Sequence, residues 1–509
     1  MTFRSILTPH HDAVLRGQDT PSCLVDLNLD QIIDAVVAGF GEYELKPDFH
    51  TPLSCIDAVQ YRQEIMRDLE QAPVLGCVQQ FTADMRAVRR ELAQAQKLYY
   101  PYQKGGWFLD AVERYCGAVA TLVRGLRAIE LRSRGLLAFR RHLAECVATE
   151  AFAALVAETG QLRSDLAAVR YCLLITDGSI RVQDYDQEAD YSTEIESVFD
   201  RFKQGAVKSY LVKFPASDDM NHVEAAVVDM VAKLRPDLFR RLDRFCTEHG
   251  DFVDQVVKDF DREIHFYLSY LAYIAPLRRA GLCFCYPVLS DASKEVHVRD
   301  TFDLALASKL VPDGTPIVRN DFDLTGPERI SIVSGPNQGG KTTFARTIGQ
   351  LHYLASLGCP IPGREARLFL CDRLFTHFER EEDIATLRGK LEDDLVRIHR
   401  ILDEAAPASV IIMNEIFTST TLEDAVLLSR AVLERLVRLD LICVWVTFID
   451  ELAAASPKAV SLVSTIIPGD PASRTFRIVR KPADGASYAA VLAEKYRLTY
   501  PQLRERLAS

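Results

Sequence analysis

The sequence predicts an α/β domain built on a mostly parallel sheet, preceded by a long, mainly α-helical region that contains a small mixed lobe. Over roughly the first 280 residues, apolar side chains recur every three or four positions, as in Phe81, Met85, Val88 and Leu92, which is typical of amphipathic helices. From about Cys283 onward, short apolar runs alternate with helical segments. That alternation is typical of a parallel sheet covered by helices on both faces.

Turn-forming residues divide the helical region. Lys104-Gly105-Gly106 predicts a break between two helices, because glycine is unfavourable in a helix interior. Cys172–Ile175 and Ile180–Val182 flank Asp177-Gly178, which predicts a β-hairpin, and Tyr210–Phe214 is typical of a further strand. These strands indicate a small mixed lobe within the helical region.

Helical spacing returns from His222 to about Leu277, and no proline lies between Asp237 and Ala275. We therefore expect one long helix in this stretch. The predicted domain limits are residues 1–170 for the helical region, 171–220 for the mixed lobe, 221–281 for the returning helix and 282–509 for the α/β domain.

Four short apolar runs are the candidates for buried strands of the sheet. They are Ile330–Val333, Leu368–Leu370, Val410–Met413 and Ile442–Val446. Each is too short for a helix and is bounded by polar or turn-forming residues, as expected of strands buried on both faces.

Composition and charge limit the possible functions. With 48% hydrophobic and 26% charged residues, the chain has the composition of a globular protein. Its net charge of -11 argues against indiscriminate coating of nucleic acid, which depends on neutralising phosphates. A local basic patch stays open as a DNA contact, with a solvated helix face as the alternative; its candidates are Arg124, Arg127, Arg132, Arg134, Arg140 and Arg141.

Targeting and metal signals are weak. Met1–Val14 lacks the apolar core of a signal peptide, and no later run of about 18 uncharged apolar residues suggests a membrane span. A cytoplasmic location is expected on this basis. The twelve cysteines form neither a paired C-x-x-C set nor a zinc-binding spacing with histidine.

The main motif is a phosphate-binding loop with the pattern G-x-x-x-x-G-K-[ST], placed between Ile330–Val333 and a helix expected to start near Thr343. In such loops the backbone N–H groups surround the phosphates, Lys341 reaches the outer phosphates, and the Thr342 hydroxyl ligates Mg²⁺. The predicted ATP-binding residues are Gly335, Pro336, Asn337, Gln338, Gly339, Gly340, Lys341, Thr342 and Thr343.

A second polar pair follows the strand Val410–Met413. Asn414 can hold a metal-bound water but adds no charge, so we expect a weak, water-mediated role on Mg²⁺. Glu415 is the predicted catalytic carboxylate that polarises the attacking water. The alternative for Glu415 is a carboxylate that binds local N–H groups at a helix start.

These motifs resemble the ATPase domain of the MutS family over about Arg329 to Leu503. The matching segments are the loop Gly335–Thr342, the Gly/Pro turn Leu357–Pro362, Arg373–Phe378, Asn414-Glu415-Ile416, Thr418–Thr421 and Ser487-Tyr488-Ala489. The resemblance implies a P-loop ATPase domain of the ABC type that uses ATP and Mg²⁺. A weaker match through Ile56, Tyr61, Arg62 and Gln63 implies that the helical region is similar to the family's lever, with the mixed lobe as a clamp.

The chain departs from the family pattern at several positions. Asn414 stands where the family has aspartate, Phe417 replaces a small residue, and Thr447-Phe448 replaces a Thr-His pair whose histidine senses the γ-phosphate. Thr386–Lys390 matches only loosely the family segment that reaches across the dimer. A slow or regulated ATPase is therefore expected.

The resemblance implies a homodimer formed through the ATPase domains around duplex or branched DNA, in DNA repair or recombination. The sequence before the helical array offers no room for the family's mismatch-recognition and connector domains, so direct mismatch reading is not expected. The DNA-binding residues stay unassigned. Two alternatives remain open: a nucleotide-gated scaffold that binds a protein partner with slow or no hydrolysis, and a stand-alone P-loop enzyme such as a small-molecule kinase.

Overall fold

The computed structural model describes residues 3–9, 21–176, 179–186, 220–379, 389–467, 470–482 and 504. The described residues divide into two compact units. Unit 1 contains residues 3, 71–131 and those of 137–261, and unit 2 contains those of 4–70, 132–136 and those from 262 onward. Within the described part of the chain, no helix combines the length and the apolar content needed to span a membrane.

The helices are named in chain order. They are α1 Cys23–Asp26, α2 Leu29–Val37, α3 Lys46–Phe49, α4 Ile56–Leu69, α5 Ala72–Lys97, α6 Pro101–Arg127, α7 Arg134–Val147, α8 Glu150–Ala167, α9 His222–Leu234, α10 Pro236–Glu248, α11 Gln255–Arg279, α12 Leu304–Leu310, α13 Lys341–Ser356, α14 Lys390–Glu404 and α15 Leu422–Leu439. Short 3₁₀ turns cover Gly41–Tyr43 and Asp450–Ala454.

The strands follow the same order. They are β1 Tyr171–Thr176, β2 Ser179–Asp184, β3 Phe284–Cys285, β4 Val288–Ser290, β5 Val296–Thr301, β6 Asn320–Leu324, β7 Ile330–Ser334, β8 Ile361–Pro362, β9 Glu365–Phe369, β10 Leu374–His377, β11 Val410–Asn414, β12 Ile442–Val446, β13 Ala459–Ile467 and β14 Asp470–Arg480.

Unit 1 is mainly helical, and its apolar residues lie where their spacing predicts. In α5, Phe81, Met85 and Val88 are buried, which gives the helix one apolar face. Helices α5 and α6 pack along each other. The expected hairpin forms from β1 and β2, which pair antiparallel. The expected strand at 210–214 lies outside the described residues.

Two expectations for the helical region are wrong. Lys104-Gly105-Gly106 does not break a helix but lies inside α6. A Cβ added at Gly105 would approach Leu242 Cδ2 to 3.1 Å, so this glycine allows α6 to lie close to α10. The stretch from His222 is three helices, α9, α10 and α11, instead of one. Pro236 disfavours helical geometry at the preceding Arg235, whose ψ is 55°, and the second interruption includes Gly250.

Unit 2 contains the predicted sheet. Its six strands lie in the order β10-β11-β12-β7-β13-β14, and all neighbours pair in parallel except β13 and β14. Helices α14 and α15 contribute Ile398 and Leu433 to an apolar core that includes Trp445 of β12. Helix α13 contacts β11 and β12. The mixed helix and sheet class with parallel strands is therefore confirmed.

One predicted strand belongs elsewhere. The sequence predicts Leu368–Leu370 in the parallel sheet, but β9 lies in a separate four-stranded sheet of order β4-β9-β5-β6. It pairs parallel to β4 and antiparallel to β5. An apolar run alone cannot distinguish these two locations, since both sheets bury such residues.

Candidate phosphate-binding site

The glycine-rich loop connects the end of β7 to the start of α13. All five residues of β7 are buried, so the strand fixes where the loop begins. The loop then turns through left-handed conformations at Gly335 (φ 116°), Gln338 (φ 59°) and Gly340 (φ 87°). Glycine adopts such angles without the strain that a side chain adds. The helix begins at Lys341, two residues before the expected Thr343.

Strand β13 supports the loop from below. Ser464 donates a hydrogen bond from its hydroxyl to Gly339 O over 2.6 Å. A Cβ on Gly335 would lie 3.0 Å from both Ser464 N and Ser464 O, and a Cβ on Gly339 would collide with the Ser464 side chain. Because Gly335 and Gly339 have no side chains, the loop can lie directly on β13, where there is space only for backbone.

Lys341 is a buried cation held by the loop itself. Its side chain is 6% exposed, and Nζ donates to Gly335 O at 2.9 Å, Pro336 O at 3.2 Å and Asn337 Oδ1 at 3.3 Å. Burial lowers the pKa of Lys341, Glu415 opposes that shift, and Arg474 adds to it. An anion at this position would restore the stabilisation that burial removes.

Thr342 and Asn414 meet at the ends of α13 and β11. The Thr342 hydroxyl donates to Asn414 Oδ1 over 2.8 Å, and Asn414 is 8% exposed. A hydroxyl has one donor and two lone pairs, so this bond leaves oxygen lone pairs for another ligand. Among the described residues, no cluster of three or more histidine, cysteine or acidic side chains forms a complete metal site.

Glu415 lies in the turn that follows β11. Its N–H donates to Val446 O of the adjacent strand over 2.9 Å, and its φ of 50° is left-handed. Its Oε1 lies 3.9 Å from Lys341 Nζ, and its side chain is 33% exposed. Strand β12 separates β7 from β11 in the sheet, yet their parallel carboxyl ends bring Lys341 and Glu415 together.

The structure thus brings all the sequence-predicted site residues to one edge of the sheet. The nine loop and helix residues from Gly335 to Thr343 are contiguous, with the Thr343 carbonyl accepting from Thr347 Oγ1. Asn414 and Glu415 reach them through the contacts to Thr342 and Lys341. Phe448, after β12, is 53% exposed.

A cavity of about 540 Å³ opens beside the loop, and sequence reasoning did not identify its apolar wall. Its apolar lining includes Phe302, Leu306, Leu310, Pro316, Ile317 and Phe476. Phe476 remains 48% exposed although it is a large apolar residue. Apolar side chains around a concave site indicate a place where an apolar group can bind. Their scattered positions in the sequence give no local signal.

The other matched segments have mixed outcomes. Arg62 is buried and donates from its guanidinium to Leu357 O over 3.2 Å, and a Cβ on Gly358 would collide with Arg62. The weaker match around Arg62 therefore lies against the Gly/Pro turn. The residues 386–388 and 487–489, both matched by sequence, lie outside the described residues.

Two members of the arginine run, Arg134 and Arg140, have partners within the protein. Arg134 pairs with Asp57 Oδ1 at 2.6 Å and with Glu64 Oε2 at 3.0 Å. Arg140 donates to Leu126 O over 3.1 Å. The two carboxylates offset the positive charge of Arg134. Arg140 has fewer N–H donors left for a phosphate, because one of them already bonds Leu126 O.

Comparisons with known proteins agree on one family. Residues 331–491 match MutS domain V. Three relatives are each named DNA mismatch repair protein MutS. That of Granulibacter bethesdensis is 30% identical over 169 residues, covering 33% of this chain and 18% of the relative. That of Chloroflexus aurantiacus is 35% identical over 120 residues, covering 23% of this chain and 12% of the relative. That of Azorhizobium caulinodans is 38% identical over 132 residues, covering 25% of this chain and 14% of the relative. The matches therefore span less than a fifth of these relatives.

Proposed function

The chain belongs to the MutS family, with part of the family's domain content including domain V, and we propose that it is a DNA-binding ATPase. We propose duplex or branched DNA as its substrate, in repair or recombination and without direct mismatch reading. The observation that carries the ATPase proposal is the convergence of Lys341, Glu415, Thr342 and Asn414 at one edge of the sheet.

The loop fits a nucleotide phosphate. Lys341 Nζ is now satisfied by carbonyl oxygens and the Asn337 side chain, which are weaker partners than phosphate oxygens. Glycines at 335 and 339 let the loop backbone lie directly against Ser464, which holds the loop in this conformation. The start of α13 adds N–H groups and the positive end of the helix dipole. These features together favour a bound polyphosphate.

The residues also fit Mg²⁺. Thr342 can ligate the ion with a hydroxyl lone pair while its O–H donates to Asn414 Oδ1, so Asn414 orients the hydroxyl without adding charge. When bound, ATP would supply the reactive phosphoanhydride bond, and Mg²⁺ would supply positive charge that offsets the negative charge of the phosphates. Glu415 is the carboxylate that orients and polarises water. Its contact distance of 3.9 Å to Lys341 places it beside the phosphate loop.

The apolar cavity beside the loop is suited to the adenine base. Phe302, Ile317 and Phe476 provide apolar surface next to Gly340 and Lys341. A purine there would bury its faces against apolar side chains while its phosphates remain on the loop. This arrangement favours a nucleotide over inorganic polyphosphate.

We further propose a homodimer through the ATPase domains, with residues 1–170 and 221–281 as a lever and 171–220 as a clamp-like lobe. Leu422, which directly follows the Thr418–Thr421 segment, is 63% exposed, and Leu427 on the same helix is 68% exposed. Exposed apolar side chains of this size favour burial against another surface. Sedimentation of wild type and Leu422→Asp with ATP tests it, since only the wild type should dimerise.

A nucleotide-gated scaffold is the second candidate. Asn414 gives the metal side no negative charge, and Phe448 has no titratable group with which to sense a phosphate. Both features favour binding over rapid hydrolysis. One stoichiometric protein partner that is bound with ATP and lost in Lys341→Ala, with no hydrolysis, would favour this candidate.

The deciding experiment measures ATP binding by calorimetry and ATP hydrolysis with duplexes, junctions and flaps at low and moderate salt. We expect ATP binding, slow hydrolysis and a change in rate with at least one DNA form. Glu415→Gln should lower kcat by about 100-fold or more while it retains ATP binding. Lys341→Ala should lose ATP binding. If the folded wild type did not bind ATP, the proposal would be excluded. If the protein bound none of the DNA forms at low salt, the proposal that it is a DNA-binding protein would be wrong.

A further inference from the structure

Asp394 of α14 is a buried carboxylate that the proposed reaction does not use directly. It is 6% exposed and lies in the second turn of α14, away from the phosphate loop in sequence. Its Oδ2 accepts a hydrogen bond from the backbone N–H of Phe417 over 3.3 Å, a bond between buried groups. Phe417 comes two residues after Glu415, so this bond ends on the turn that carries the carboxylate.

That turn has an unusual backbone. Glu415 and Phe417 both adopt left-handed conformations, with φ of 50° and 60°. Neither is glycine, so each conformation is strained and persists only where surrounding contacts hold it. The contacts that hold the turn are Glu415 N–H to Val446 O, Phe417 N–H to Asp394, and the complete burial of the Phe417 side chain.

The other carboxylate oxygen of Asp394 faces the neighbouring strand. His377, the last residue of β10, is 1% exposed, and its Nε2 lies 3.5 Å from Asp394 Oδ1. Asp394 thus contacts the carboxyl end of β10 and the turn after β11 at once. A side chain fixed between two strand ends is well placed to hold the turn in one conformation.

We infer that Asp394 is a positioning residue that holds the Asn414–Phe417 turn so that Glu415 faces Lys341, an inference that rests on the proposed ATPase function. Asp394 acts through the Phe417 amide and not on the nucleotide. Loss of the acceptor leaves a strained turn free to relax, and Glu415 moves away from its place 3.9 Å from Lys341 Nζ. The phosphate loop keeps the contacts that shape it, since Gly339 O still accepts from Ser464 and Lys341 Nζ still donates to Gly335 O.

The test compares Asp394→Ala with Asp394→Asn in the full chain. Asp394→Ala removes the acceptor, and we expect kcat to fall on the order of 10- to 100-fold while the Kd for ATP changes by less than about twofold. Asp394→Asn retains an acceptor oxygen, so its kcat should stay within about threefold of wild type. Asp393→Ala, at the adjacent carboxylate of the same helix, is the matched control and should match wild type.

A double mutant separates positioning from general structural damage. In a Glu415→Gln background, Asp394→Ala should cause no further fall in kcat, because the group that Asp394 positions is gone. Additive losses would overturn the inference. Thermal unfolding checks that each variant is folded. If Asp394→Ala does not fold, Asp394→Ser takes its place, because the serine hydroxyl is too short to replace the carboxylate.

The failures are distinguishable. A wild type that does not bind ATP contradicts the proposed function itself. A wild type that binds ATP without hydrolysing it overturns the role of Glu415 and this inference with it. A wild type and Asp394→Ala with equal kcat overturn this inference alone.

Discussion

The phosphate loop and the turn after β11 lie at the same edge of one sheet, yet they reach their conformations in different ways. In the loop, two of the three left-handed residues are glycines, Gly335 and Gly340. In the turn, the left-handed residues are Glu415 and Phe417, which carry large side chains. The loop is therefore encoded locally, whereas the turn depends on what packs against it.

This difference predicts where each segment is vulnerable. The loop tolerates no side chain at Gly335 or Gly339, because Ser464 lies directly against both positions. The turn tolerates no loss of packing, because Phe417 is fully buried among core residues such as Ile398 and Trp445. Substitutions at the two segments should accordingly fail for opposite reasons: overcrowding in one and loss of support in the other.

The largest expected effect is at Phe417. Phe417→Ala should lower the free energy of unfolding by about 3–5 kcal/mol, because it empties a packed site while keeping a Cβ at φ 60°. Phe417→Gly loses the same packing but relieves the left-handed strain, so it should be more stable than Phe417→Ala by about 1 kcal/mol. Urea unfolding measures both.

The matched control is Phe448, whose side chain is 53% exposed. Phe448→Ala should change the free energy of unfolding by less than about 0.5 kcal/mol. A Phe417→Gly variant less stable than Phe417→Ala would show that the left-handed turn is not held against strain, and the contrast with the loop would disappear.

The second effect tests the loop. Gly339→Val places a side chain where a Cβ already collides with Ser464 and lies 2.9 Å from Pro336 O. The backbone must shift, so ATP affinity measured by calorimetry should fall about 10- to 100-fold. Gly106→Ala is the control, since a Cβ there meets nothing within 4 Å. Wild-type affinity in Gly339→Val would mean that the loop is not tightly fitted.

The same contrast explains what could be predicted from the sequence. The loop from Gly335 to Thr342 follows a local pattern of glycines, lysine and threonine, so its place between strand and helix was predictable. Val410–Met413 and Asn414 followed from one apolar run and its first polar residue. These features need no knowledge of distant contacts.

The features that could not be predicted depend on contacts distant in sequence. By residue type alone, Gly105 predicts a helix break. Its actual role depends on Leu242, which lies so close that only glycine fits without a shift. Phe302 and Phe476 line the same cavity, although one precedes the phosphate loop in the sequence and the other follows it by more than a hundred residues. Asp394 carries no signal at all in the sequence, since its importance comes from one bond to the Phe417 amide.

The smallest expected effect is at the point where the two segments touch, between Thr342 and Asn414. Asn414→Asp keeps an acceptor for the Thr342 hydroxyl and adds a negative charge beside the proposed metal position. The concentration of Mg²⁺ that half-saturates ATP hydrolysis or binding should therefore fall, by about 3- to 10-fold. A titration with Mg²⁺ at fixed ATP measures this shift.

Asn414→Ala separates charge from orientation in the same titration. It removes the acceptor that fixes the Thr342 hydroxyl and adds no charge, so it should raise the Mg²⁺ requirement where Asn414→Asp lowers it. Opposite shifts would mean that the turn contributes to the metal position through both geometry and charge. Identical Mg²⁺ dependence in all three proteins would place Asn414 outside the metal's surroundings and confine the link between loop and turn to the contact of Lys341 with Glu415.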